Sequence, residues 1–117
     1  MNDPALEVAM RRASDELLAD PANLVWGGGR SPRRRPIDAF DINCGLCEDW
    51  ANRVADLVDG VEVLDPIDLT GNRDEDAHIF IRYRGHYYDA ECHGGVDDWR
   101  LLPLFRRNRR LDAASVL

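Results

Sequence analysis

AHIFIRYRGHYYDAE, Ala77 to Glu91, reads as two alternating segments joined by Arg84-Gly85. Apolar and polar residues alternate on both sides of a two-residue polar loop, the pattern of a β-hairpin. A two-residue loop pairs Tyr83 with His86. The same register sets Arg82 against Tyr87, Phe80 against Asp89 and His78 against Glu91. Facing residues share one side of a sheet, so His78 and both acids fall together. A three-residue turn would instead flip Asp89 to the other side.

Outward from the hairpin, VEVL (Val61 to Leu64) reads as a further strand, ended by Asp65-Pro66. Before it, Trp50, Val54, Leu57 and Val58 share a helical face with Ala51 and Ala55 beside them, which predicts a helix from Leu46 to Asp59 stopped by Gly60. Near the start, Asp3-Pro4 supplies an N-cap followed by proline at the first helical position. Leu6, Met10, Ala13, Leu17 and Leu18 continue at helical spacing until Pro21. The fold class is therefore α+β, with helices packed on one face of a short antiparallel sheet. The 117 residues form one domain. Its parts are an N-terminal helix (1–20), a Gly/Arg/Pro-rich loop (26–41), a core (42–105) and a basic tail (106–117). Two stretches read as non-regular: the polar loop Asp68 to Asp76, whose spacings do not fit a calcium loop, and the turn beginning at Cys92-His93-Gly94-Gly95.

Charge narrows the function classes. All 15 basic residues are arginine and the net charge is −7. From Asp38 to Asp98 there are 16 acids against 4 arginines. Such a body disfavours nucleic-acid binding, which depends on neutralising phosphates. The clusters Arg30 to Arg35 and Arg106 to Arg110 flank it and read as a solvated loop and a frayed tail. No apolar run approaches the ~20 residues of a membrane span, and the N-terminus does not read as a signal peptide. A cytoplasmic location is expected, where three cysteines act as thiols rather than disulfides.

INCGLCEDWA, Ile42 to Ala51, carries two of those thiols, and three chemistries compete for them. Cys44 and Cys47 could form half of a zinc site completed by Cys92 and His93. Adjacent residues on an extended chain point to opposite faces, so Cys92 and His93 would need a tight local turn to share a metal. A redox dithiol is opposed by Glu48 and Asp49, whose charges resist thiolate formation. The third chemistry is nucleophilic. Cys47 falls in the first turn of the predicted helix, where the dipole and unpaired N–H groups favour a thiolate and could hold an oxyanion. His78 would act as base, oriented by Asp89 or Glu91. A set of this kind needs no cofactor and no metal.

Gly45-x-Cys47-Glu48-Asp49-Trp50-Ala51 resembles the helix start of the transglutaminase-like superfamily, within the wider papain-like group. HIFIRY resembles that family's histidine strand, and YYDAE its following strand with the triad aspartate. The resemblance spans Asn43 to Glu91. It implies a minimal papain-like core with Cys47 as nucleophile, His78 as base and Asp89 as orienting acid, with Glu91 as the alternative acid. The implied reaction is hydrolysis or acyl transfer at an amide or ester, peptide-like in character. Asn43 is a candidate oxyanion donor and Trp26 a candidate groove residue, while His86 and His93 lack evident partners. The competing reading is a non-catalytic binding or scaffold module, stabilised by zinc through Cys44, Cys47, Cys92 and His93.

Overall fold

The computed structural model describes residues 3–20, 38–72 and 77–107, together with the backbone of 25–27 and 33–35. The fold is α+β: a four-stranded antiparallel sheet with helices packed against it. The order of elements is α1 (Pro4–Ala19), β1 (Val25–Gly27), β2 (Arg33–Arg35), α2 (Ala39–Gly45), α3 (Cys47–Leu57), β3 (Glu62–Leu64), α4 (Pro66–Thr70), β4 (Phe80–Tyr83), β5 (His86–Asp89) and β6 (Cys92–Val96). A 3-10 turn, Trp99–Leu101, and a helical segment at 103–107 follow. Strands β3, β4, β5 and β6 lie in that spatial order, and β1 pairs separately with β2. Among the described residues no helix is long and apolar enough to cross a membrane.

Local chemistry sets the element ends. The Asp3 side chain accepts the Ala5 N–H at 2.9 Å, capping α1 as expected. The hairpin register is also as expected, with Tyr83 opposite His86, Arg82 opposite Tyr87 and Ile81 opposite Tyr88. Arg84 and Gly85 both hold positive φ, 51° and 79°, the mirror-image turn that suits the twist of antiparallel strands.

Strand residues then divide between two cores. Ile81, Tyr83 and Tyr88 pack with Leu6, Met10 and Leu17 of α1 and Trp50, Ala51 and Val54 of α3. Phe80 and Tyr87, one residue out of phase, pack with Trp99, Leu102 and Phe105. The sheet is therefore covered on both faces, not one, because the C-terminal segment supplies enough aromatic area to bury the second. Two residues assigned to the first core sit at its rim: Leu18 and Leu57 are 39% and 43% exposed.

Four expectations need correction. The stretch 26–41 is not wholly loop; it contains the backbone of β1 and β2 and the start of α2, capped by reciprocal bonds between Asp38 and Asp41. The polar stretch after Leu64 opens as α4, capped in the same way by Asp65 and Asp68. Cys92 to Val96 is a strand rather than a turn. Arg106 and Arg107 are helical and not frayed, while 108–117 lie outside the described residues.

The Tyr88 ring explains why β6 carries glycine at position 95. The φ of Gly95 is +79°, and a Cβ there would stand 2.5 Å from Cε2 of the buried Tyr88 ring. Gly95→Ala meets both penalties and should cost about 2–4 kcal/mol. A urea titration should show the midpoint falling by roughly 1–2 M. A shift within experimental scatter would contradict this account of the strand.

Candidate active site

Cys47 stands at the join between two helices. The Leu46 N–H still bonds back to the Ile42 carbonyl at 2.8 Å, but Leu46 turns out of the helical region at φ −123°. A new helix therefore begins at Cys47, and Leu46 supplies no side-chain cap. The first N–H groups of α3 are left available to the thiol.

His78 lies in the segment 77–79 that leads into β4 and is 2% exposed. The Phe105 ring meets its imidazole edge-on, with centroids 5.5 Å apart, and Phe80 lies beyond at 6.2 Å. Nε2 donates to Oδ2 of Asp89 at 3.1 Å. The other oxygen of Asp89, Oδ1, accepts the Glu91 N–H at 2.9 Å, so the β5–β6 turn orients the acid. Nδ1 of His78 is buried without a hydrogen-bond partner of ordinary geometry. It is the nitrogen left for the thiol.

The electrostatics of the two groups are mutual. Partial burial raises the Cys47 thiol pKa, but hydrogen bonding to His78 and to the N–H groups of Ile79 and Glu48, with the imidazolium charge, brings it below the ordinary value. Burial opposes the His78 cation. Asp89 and Cys47 outweigh that and push its pKa up to about 9. The thiol and imidazole are thus close neighbours, each of which stabilises the charged form of the other. Their opposite shifts favour the thiolate–imidazolium pair over the neutral pair.

Of the two candidate acids, Asp89 is the one that meets the His78 ring. Glu91 turns away and accepts Nδ2 of Asn43 at 2.8 Å and both terminal nitrogens of Arg107 at 2.8 Å. The strands end too soon for Glu91 to face His78: β4 begins at Phe80 and β5 ends at Asp89. Asn43, the candidate oxyanion donor, is buried within α2 and gives an amide hydrogen to Glu91. Trp26 keeps only a described backbone, so its groove role lies outside the described residues.

The zinc set is not assembled. Among the described residues no three of His, Cys, Asp and Glu gather to hold a metal ion. Cys92 packs beside the Phe80 cluster, whereas His93 faces the other way. It stacks on Trp50 at 5.9 Å and lies 3.4 Å from Ser14 Oγ, the partner that the sequence did not reveal. His86 is exposed, with Nδ1 3.3 Å from the Arg84 carbonyl oxygen. Cys44 is exposed, and its pKa is raised by desolvation and by Glu91, Asp41 and Cys47 against the pull of Arg107.

Three contributors escaped the sequence. Phe105 was part of an apolar run with no marked partner, and Arg107 was one of several like arginines. The Ile79 N–H carries no side-chain signal at all. Only the adjacency of Ile79 to His78 could have pointed to it.

Compared with protein-family models, curated proteins and solved structures, the chain finds no match.

Proposed function

We propose that the protein is a small cysteine hydrolase or acyltransferase of transglutaminase-like type. Its substrate would carry an amide or ester, peptide-like in character. The observation that supports this most is the orientation of His78. One ring nitrogen is tied to a buried carboxylate, and the other is unpartnered beside a thiol at a helix start.

The chemistry follows from those positions. The Cys47 thiolate attacks the carbonyl carbon, and the carbonyl π pair moves onto oxygen. The Cys47 N–H at the head of α3 donates to that oxyanion. Collapse breaks the bond to the leaving amine or alcohol, which takes the proton from His78 Nδ1. A thioester on Cys47 remains. His78, now neutral, removes a proton from water, and the hydroxide oxygen attacks the thioester. The thiolate leaves with the bonding pair, and His78 is again protonated. An amine in place of water gives transfer instead. Asp89 holds the ring throughout and stabilises the imidazolium.

The two neighbouring thiols provide an internal test. At pH 6.5, iodoacetamide should alkylate half-buried Cys47 before exposed Cys44, because thiolate content outweighs exposure. Peptide mass spectrometry after brief labelling reads the order directly. Labelling of Cys44 first would remove the basis for an activated nucleophile.

A further inference from the structure

Glu91 accepts more charge-assisted hydrogen bonds than any role as a surface acid requires. It follows the triad acid by two residues, and its own N–H fixes Oδ1 of Asp89 at 2.9 Å. Its side chain is only 17% exposed. Oε1 receives Asn43 Nδ2 and one Arg107 nitrogen, and Oε2 receives the other, all at 2.8 Å. Asn43 belongs to α2, whose backbone bonding runs into Leu46, the residue before Cys47. Arg107 lies two residues after Phe105, the ring that covers His78. The Arg107 guanidinium also stacks over Phe40 at 4.8 Å, so it touches α2 directly as well as holding the carboxylate that bonds Asn43.

We infer that Glu91 and Arg107 are positioning residues for the triad. The Glu91 carboxylate clamps the helix that delivers Cys47, and the C-terminal segment that covers His78, onto the turn that carries Asp89. The inference rests on Cys47, His78 and Asp89 acting as a catalytic set. Each triad member sits on a different chain segment; Glu91 lies on the turn of Asp89 and bonds directly to α2 through Asn43 and to the C-terminal segment through Arg107. A planar fork is needed at 107, because only a guanidinium reaches both carboxylate oxygens in one plane. Oδ1 of Asn43, buried and without a partner, is the cost accepted for aiming its amide hydrogen at Glu91.

The test uses the full chain and two readouts: the iodoacetamide rate at Cys47 at pH 6.5, and the titration midpoint of the His78 imidazole by NMR. Glu91→Gln and Arg107→Ala should each slow alkylation about tenfold, the scale of a displacement well under 1 Å in a catalytic set. Arg107→Lys keeps the charge and the fold but loses the fork, so it should recover only part of the rate. The midpoint adds a readout that mere loosening would not move in a fixed direction. Glu91 is electrostatically coupled to His78. Removing its charge in Glu91→Gln should lower the midpoint from about 9. Arg107→Ala, which leaves that charge bare, should hold or raise it. Thermal melts identify the folded variants; should Arg107→Ala not fold, Arg107→Lys and Glu91→Gln carry the test. Folded variants matching the wild type in both rate and midpoint overturn the positioning role. A wild-type Cys47 no faster than Cys44 overturns the triad beneath it, and the two failures are thereby distinct.

Discussion

His78→Ala should turn over an activated ester such as p-nitrophenyl acetate about 10⁴–10⁶-fold more slowly than the wild type, the scale on which a triad acts as a unit. In the proposed mechanism the imidazole has three tasks. It draws the thiol pKa down, it delivers a proton to the leaving group, and it takes one from the attacking water. Its ring is buried and already oriented by Asp89 at 3.1 Å, so no other side chain substitutes for it. The substitution also strands Asp89, which is 0% exposed and keeps, among the described residues, the Glu91 N–H as the hydrogen-bond donor to its carboxylate. An unpaired buried carboxylate destabilises by about 3–5 kcal/mol. Lost folding must therefore be separated from lost chemistry. The double variant His78→Ala with Asp89→Ala removes the stranded charge, and it should regain stability while remaining inactive. Turnover of folded His78→Ala within tenfold of the wild type would sink the mechanism.

Trp50→Ala should lower the melting temperature by on the order of 15 °C, equivalent to about 3–5 kcal/mol. The side chain is 1% exposed and sits where α1, α3 and β6 meet. Its indole Nε1 donates to Ser14 Oγ at 2.9 Å, and its ring stacks on His93. Truncation opens a cavity in the larger core and takes away both the donor to Ser14 and the surface under His93. Because α3 also carries Cys47, looser packing should slow alkylation as well. Circular dichroism during heating gives the measurement, and a drop of less than about 5 °C would show that the core closes over the gap.

The parts of the fold legible in the sequence were those governed by short-range chemistry. Asp3-Pro4 marks a helix start whatever surrounds it. Arg84-Gly85 sets the register of a hairpin whose strands are adjacent in sequence. That register placed His78 and Asp89 on one side, while the choice between Asp89 and Glu91 depended on where pairing stops. Pairing stops because Ala90 and Glu91 turn the chain into β6. β6 itself was hidden, since Gly94-Gly95 is usual turn chemistry. Here one of those glycines answers to the Tyr88 ring, a contact between strands. α2 and α4 begin with Asp at both capping positions, Asp38 with Asp41 and Asp65 with Asp68, where glutamate at the third position is the commoner sign. Arg107 could not be told from Arg106 or Arg109 by composition; only the folded chain brings it to Glu91.

The ordering β3-β4-β5-β6 also bears on how copies of this protein meet. The outermost strands are the places where a sheet could recruit a neighbour by continuing its ladder. One of them, β3, is three residues long and runs into Asp65-Pro66, where proline removes a donor. The other, β6, departs from regular pairing between Tyr87 and Asp89 and carries Gly95 at positive φ. Each margin is a poor template for growth. A chain with an exposed Cys44 already has one route to self-association through sulfur, and the sheet offers it little help along a second.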